Sequence, residues 1–509
     1  MSHSPSILYS IWKSVKRRHF REINQSKNYL DRRGFLDSSS AIALYSINII
    51  GKSLAAARKV MRPFVCFLIA STLINAHAQV VKTQGYLPFG DAPIAYRSEK
   101  VDDPIARLQK QLDQGGAKLE YEAGRGYLQS VLRALRVPIS SQTLVFSKTS
   151  FQFPRISPER PRALYFNDDI YVGRVHDGPS LEFISFDPMQ GAIFYVLNDQ
   201  PSEHPRFERA ANDCVQCHVA ANSTRGVPGV MLRSVFTSPS GAQAAGTPSS
   251  ITGQDSPLKG RWGGWYVTGS LGKQTHLGNA LLPNGAKPDQ LDRSSHANLT
   301  DLTGLFDTSD YLSRYSDIVA HLVLAHQTQM HNLITQTNYQ TRLALYAGKA
   351  GDPLSDAGRR QFERPAEQLV RYLLFANETP LDEPVTGTSG FAEEFATRGP
   401  RDDRGRSLRD FDLQRRIFKY PCSYLIYSEA FDAIPQPARD YVYRRIFEVL
   451  SGREQGPEFA SLSAEDRRAI LEILVATKPG VPEEWKEFVK HPDGAQARID
   501  INPTVQKGH

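Results

Sequence analysis

Cysteine is scarce in this chain, and its scarcity narrows the possible chemistry. The 509 residues include four cysteines. Two of them, Cys66 and Cys422, stand alone, so the second Cys/His pair that a zinc site needs is missing. Cys422 lies in an aromatic and apolar segment, and it has no disulfide partner if Cys66 is removed with a signal peptide. The sequence therefore predicts that Cys422 is a buried, inert thiol.

A basic surface is also lacking from most of the chain. The formal net charge is +7, but residues 1–78 hold twelve Lys/Arg and three Asp/Glu, so the leader carries +9 and the remainder −2. No stripe of Lys and Arg alternates with aromatic residues after residue 78. These features argue against a nucleic-acid-binding protein.

The remaining two cysteines form the most informative motif, Cys214-Val215-Gln216-Cys217-His218. Two thiols at this spacing can add across the two vinyl groups of one porphyrin, and the adjacent histidine can ligate the iron. Chance produces this motif in a chain of such composition with a probability on the order of one in a thousand. The alternatives are half of a zinc site or a dithiol redox pair, which is expected to open a helix after a strand. The sequence predicts one covalently bound haem c, with Cys214 and Cys217 as attachment points and His218 as metal ligand.

An export signal precedes the motif. Residues 61–78 combine a basic start, a short apolar core and the small-x-small sequence Ala76-His77-Ala78, which is typical of a secretory signal peptide. The core is too short to span a bilayer. We expect cleavage after Ala78 and a periplasmic or secreted protein without a stable membrane span.

Residues 1–60 then need an explanation, since a signal peptide should open a chain. Either Met61 is the true start and residues 1–60 are a mis-assigned extension, or Asp31-Arg32-Arg33-Gly34-Phe35-Leu36 is a twin-arginine signal. We favour the first, because twin-arginine export carries folded proteins whereas haem attachment is expected on an unfolded chain.

The periodicity of apolar residues predicts an α+β fold, with a β-rich N-terminal half that carries the haem motif and a mainly α-helical C-terminal half. We divide the chain into a leader (1–78), a mixed α/β haem-binding region (79–310) and a mainly helical region (311–509). An antiparallel meander is expected from strands within 144–146, 163–166, 169–173, 181–186 and 192–197, with a further strand at 264–269. Helices are expected at 311–346, 366–376, 408–418, 438–450 and 464–477, with a long loop at 377–407.

The proximal side of the iron has a second candidate feature. Arg225-Gly226-Val227-Pro228-Gly229 resembles the Gly-Pro turn that follows the haem motif in small soluble c-type cytochromes. In such a turn a backbone carbonyl accepts a hydrogen bond from the ligand imidazole and fixes its orientation. An ordinary loop turn is the alternative.

Three residues are candidates for the sixth iron ligand. His276 is placed slightly ahead, because it follows an aromatic strand on a loop. His326 and Met330 are four residues apart on a predicted helix and share a face. Met231 is too close in sequence to His218 to reach over the opposite face of a haem without strain.

Four segments give the chain a wider resemblance. It is similar to a group of large exported bacterial proteins with one Cys-x-x-Cys-His motif, described as cytochrome c domain proteins of unassigned reaction. The resemblance implies a haem-binding redox protein and no particular substrate. The segments are 261–269, 316–320, 326–332 and 418–427.

Three functions remain open. The first is electron transfer with a redox partner protein. The second is a haem-dependent oxidoreductase, or a gas or redox sensor, with an open distal iron site, because the roughly 430 residues after the leader exceed what a carrier needs and can build a pocket for a small-molecule substrate. The third is a dithiol protein without haem. Whether the protein is an enzyme is left open by the sequence.

Overall fold

A seven-stranded antiparallel sheet organises the N-terminal half. The computed structural model describes residues 87–97, 100–210, 212–348 and 354–491. The sheet has the order β6-β5-β4-β3-β2-β1-β9, so consecutive strands are neighbours from β1 to β6 and β9 closes the far edge. Strands β7 and β8 form a separate antiparallel pair. The strands are β1 Thr143–Val145, β2 Arg162–Phe166, β3 Ile170–Arg174, β4 Ser180–Asp187, β5 Gly191–Asn198, β6 Phe207–Arg209, β7 Arg233–Val235, β8 Ser249–Ile251 and β9 Trp265–Tyr266.

The hairpin between β4 and β5 shows how local sequence sets the register. Asp187 is paired with Gly191 at the end of the ladder. The Asp187 carboxylate accepts hydrogen bonds from the backbone N–H groups of Met189 (2.8 Å) and Gln190 (2.7 Å). Gly191 has a φ of 70°, a left-handed conformation that glycine adopts without steric cost. The turn thereby fixes the register of the two longest strands.

Helices dominate the C-terminal half, which confirms the α+β fold with a β-rich N-terminal half. The longest, α4, begins after Asp317, whose side chain accepts a hydrogen bond from the Val319 N–H at 2.7 Å. It packs against α5 and against β5 of the sheet. The helices are α1 Pro104–Asp113, α2 Leu128–Ala134, α3 Val215–His218, α4 Ile318–Ala347, α5 Asp356–Leu373, α6 Phe391–Thr397, α7 Glu429–Asp432, α8 Gln436–Leu450, α9 Ala464–Thr477 and α10 Glu483–Lys490.

The predicted helix at 408–418 is wrong. This segment is a series of turns, and Leu413 has a φ of 52°. The Asp412 carboxylate accepts hydrogen bonds from the N–H groups of Gln414 (2.9 Å) and Arg415 (2.8 Å). Side chains that bond the local backbone in this way compete with helix formation.

Other helix predictions differ mainly in their bounds. The helix expected at 366–376 begins ten residues earlier as α5, and the expected loop at 377–407 contains α6.

The predicted leader, with its signal peptide at 61–78 and the extension 1–60, lies outside the described residues. Within the described ranges, no helix is both long enough and apolar enough to cross a membrane.

Candidate functional site

The cysteine and histidine side chains of the motif lie together on the wall of one cavity. The short helix α3 follows the edge strand β6 and carries Cys217 and His218, with Cys214 immediately before it. All three residues line a cavity of about 940 Å³. Strands β2 to β5 and helix α4 supply the facing walls. The volume falls within the range of pockets that hold cofactors and small molecules.

His218 is oriented by the turn expected from the sequence. Its Nδ1 lies 2.9 Å from the carbonyl oxygen of Gly229, and the Gly229 N–H donates to the His218 carbonyl at 3.0 Å. Because a carbonyl only accepts, Nδ1 carries the proton and Nε2 keeps a lone pair. Burial lowers the pKa of His218, which also favours the neutral ring. The Phe194 ring packs beside the imidazole, with ring centroids 5.0 Å apart.

Asn332 of α4 holds this turn in place, and the sequence analysis did not identify it. Its side-chain amide donates to the Val230 carbonyl at 2.7 Å, and its Oδ1 accepts the Val230 N–H at 3.0 Å. A Cβ atom on Gly229 would lie 2.1 Å from Asn332 Oδ1, so glycine is required at this contact. No pattern in the sequence singles out Asn332, because α4 contains several other buried polar side chains, among them Gln327 and Asn338.

The pKa of Cys214 bears on whether the two thiols form a redox-active pair. Burial and the negative charges of Glu182 and Asp213 raise the pKa of Cys214 to about 11. Redox-active dithiol pairs instead depend on a lowered thiol pKa. The raised pKa of Cys214 therefore argues against a redox-active dithiol, whereas its position after strand β6 and before helix α3 is the one expected of such a pair.

No group of three or more His, Cys, Asp or Glu side chains suited to a metal ion occurs among the residues that the structure describes. Cys422 is fully buried, as expected, and burial raises the pKa of its thiol well above the usual value.

The cavity wall contains one ion pair in a mostly apolar setting. Arg162 of β2 and Glu182 of β4 pair across Gly173 of the intervening strand β3. A Cβ atom at Gly173 would lie 2.4 Å from Nη2 of Arg162, so the glycine leaves the space that the guanidinium occupies. Apolar side chains provide much of the remaining wall, among them Phe166, Phe183, Phe194, Val196, Leu232 and Leu324.

His326 and Met330, two of the candidates for the sixth iron ligand, are not among the residues that line this cavity. Both ring nitrogens of His326 are engaged, Nδ1 with Gln254 Oε1 at 2.5 Å and Nε2 with Ser423 Oγ at 2.7 Å. The ring also stacks on Phe375, with centroids 4.4 Å apart. Met330 is fully buried in the core.

His276, the leading candidate, also lies away from the cavity lining. Its Nε2 lies 3.2 Å from the Ala297 carbonyl oxygen, and its ring contacts Trp262 edge-on at 5.3 Å. Met231, which the sequence analysis set aside, is on the cavity wall. It follows Gly229, the last residue of the turn that orients His218, by two residues.

The donor set fits the cofactor that the motif implies. Two thiols are positioned on the wall of a mostly apolar cavity, and the histidine ring beside them has one nitrogen engaged and one lone pair left. Comparison with family models, curated proteins and solved structures found no match to this chain.

Proposed function

We propose that this chain is an exported c-type haem protein with electron-transfer activity, in which Cys214 and Cys217 attach one haem and His218 ligates its iron. The observation that carries the proposal is the bond from His218 Nδ1 to the Gly229 carbonyl, on the wall of a cavity that also contains both thiols. A ligating histidine usually donates its second ring N–H to a carbonyl or carboxylate, which fixes the ring and raises its basicity.

The residues of the cavity have distinct tasks in this proposal. The thiols would attach the cofactor, and Nε2 of His218 would be the ligand to its iron. The apolar wall excludes water, which tunes the potential of a buried redox centre. A bound haem supplies one-electron chemistry. A periplasmic or secreted location and a redox partner protein are parts of the same proposal, and they rest on the predicted signal peptide and on the resemblance to exported cytochrome c domain proteins.

Covalent attachment is the direct test. The protein is produced in a host with haem-attachment machinery, denatured, and stained for haem after electrophoresis, because thioether bonds survive denaturation. We expect a stained band in the wild type and in the control Cys422→Ala, and no stained band in Cys214→Ser with Cys217→Ser. Equal staining of the double variant and the wild type would contradict the proposal.

A second candidate function is a haem-dependent oxidoreductase, or a gas or redox sensor, with an open distal position. One observation favours it: His276, His326 and Met330 are all outside the cavity lining. Carbon monoxide added to the ferrous protein distinguishes the two functions. A spectrum unchanged by carbon monoxide supports electron transfer with six-coordinate iron, and a shifted Soret band supports the second candidate.

A further inference from the structure

The ion pair on the cavity wall is held in place at its carboxylate end. Glu182 accepts hydrogen bonds at Oε1 from Gln152 Nε2 (2.6 Å) and Ser150 Oγ (3.0 Å), while its Oε2 pairs with Nη2 of Arg162. Both carboxylate oxygens are therefore engaged. The side chains of Arg162 and Glu182 are 19% and 12% exposed, so the pair is largely withdrawn from water.

The guanidinium of Arg162 has donors to spare. It carries five N–H groups, and its contact with Glu182 is made by Nη2. Nε is buried and has no hydrogen-bond partner within the described ranges. A buried donor without a partner is costly, which makes a further acceptor favourable at this place.

The surroundings define which acceptor fits. Glu182 already neutralises the charge of Arg162. A ligand with a single negative charge can still bind to the free N–H groups, whereas a ligand with two negative charges would be repelled by the Glu182 carboxylate. The apolar side chains of the wall suit an apolar body. A guanidinium binds carboxylates through paired N–H groups.

We propose that Arg162 binds a carboxylate carried on an apolar molecule in this cavity, which Lys148 and Arg233 also line. Two sources have this chemistry: a propionate of the attached porphyrin, for which the inference rests on the proposed function, and a free apolar acid. Glu182 and Gly173 act as positioning residues, Glu182 by holding Nη2 and Gly173 by leaving space for the guanidinium.

The first experiment uses a free acid. Binding of hexanoate, and of hexanamide as its uncharged analogue, is measured by calorimetry on the full chain. The test variant is Arg162→Gln with Glu182→Gln, which removes both charges and leaves no unpaired one. The control is Arg160→Gln with Asp177→Asn, which removes an exposed ion pair (3.2 Å) two residues away. For a free acid, we expect the test variant to bind hexanoate at least tenfold more weakly, with hexanamide binding and the control unchanged.

Glu182→Gln alone sharpens this experiment. It keeps a side-chain oxygen that can accept from Nη2 of Arg162 and removes the negative charge that repels a second carboxylate, so hexanoate should bind more tightly than to the wild type. Such an increase also shows that the variant is folded, which a loss of binding does not.

The second experiment addresses the porphyrin. The reduction potential of the haem-loaded protein is measured as a function of pH, because a propionate near the iron couples its proton to the electron. If Arg162 binds a propionate, the pH profile of the test variant shifts by more than one pH unit relative to the control variant, and hexanoate does not bind the wild type.

The inference is overturned if hexanoate binding and the pH profile are both the same in the test and control variants. It is also overturned if the protein carries no covalent haem and hexanoate does not bind. In that case the proposed function fails as well, whereas hexanoate binding that depends on Arg162 in a haem-free protein supports the carboxylate site alone.

Discussion

Nδ1 of His218 lies 2.9 Å from the carbonyl oxygen of Gly229, and the same two residues are joined by a backbone hydrogen bond of 3.0 Å. The imidazole is therefore fixed to the chain that leaves the motif and is not free to rotate. Since Asn332 bonds the next residue, Val230, the orientation of the ring depends on helix α4. Three separate segments thus determine where the Nε2 lone pair points.

Replacing His218 by alanine should change iron ligation more than any other single histidine replacement. The reason is that, among the residues that the structure describes, His218 is the one histidine on the lining of the cavity that holds both thiols. The ferrous absorption spectrum is the measurement, with His204→Ala as control because His204 is exposed. Failure to assemble the haem also agrees with the prediction. A ferrous spectrum identical to that of the wild type would show that His218 is not the axial ligand.

Asn332→Ala should disturb the iron site through the turn. It removes two buried hydrogen bonds to Val230, for which we expect a loss of about 1–3 kcal/mol in the free energy of unfolding. We also expect a shift of the iron–histidine vibration, because the Gly229 carbonyl is no longer held.

Asn338→Ala is the matched control for this variant. Asn338 is also a buried asparagine of α4, but its amide donates to the Ala433 carbonyl at 3.0 Å, away from the motif. It should lower stability without moving the iron–histidine vibration. Equal vibrational shifts in the two variants would rule out a specific role for Asn332.

The sheet was predictable because the apolar residues of its strands alternate with more polar ones along the sequence. In β4, buried Leu181 and Phe183 alternate with half-buried Glu182 and Ile184, which is the period of a strand. The turn at Asp187 and Gly191 is equally local. The motif was predictable for the same reason, since its chemistry depends only on spacing along the chain.

The orientation of α4 was not predictable from periodicity. From Ile318 to Thr335 every residue of this helix is buried, so no polar face indicates which side meets the cavity. Leu324 and Thr328 line the cavity. His326 is two residues from Leu324, about 200° around the axis at 3.6 residues per turn. The shared face of His326 and Met330 therefore points into the core and not toward the motif.

Stability should fall as the pH is lowered from 6.5 toward 5. Burial lowers the pKa of His276 and His331 to about 4, and that of His321 and His326 to about 3. In this pH range the unfolded chain binds protons at these histidines and the folded chain does not, so acid favours unfolding. The denaturation midpoint measured at pH 7.5, 6.5 and 5.5 tests this expectation.

Two half-buried carboxyl groups act in the opposite direction. Burial raises the pKa of Asp169 and Glu378 to about 7, so the folded chain takes up protons there as the pH falls and gains stability. Four histidines outweigh two carboxyls, and the net effect remains acid destabilisation. Asp169→Asn with Glu378→Gln should make the loss between pH 6.5 and 5.5 steeper. A shallower loss in this variant would show that the carboxyls do not oppose the histidines.

The distal side of the iron gives the last prediction. His276 is the first candidate that the sequence offers for the sixth ligand, but its ring packs on Trp262 and its Nε2 lies 3.2 Å from the Ala297 carbonyl oxygen. His276→Ala should therefore lower stability and leave the spin state and carbon monoxide binding unchanged. High-spin iron appearing in this variant would restore His276 as a ligand.

Met231→Leu is the informative comparison, because Met231 lines the cavity. Loss of a methionine-to-iron charge-transfer band with a lower potential in Met231→Leu would identify His/Met ligation and favour electron transfer.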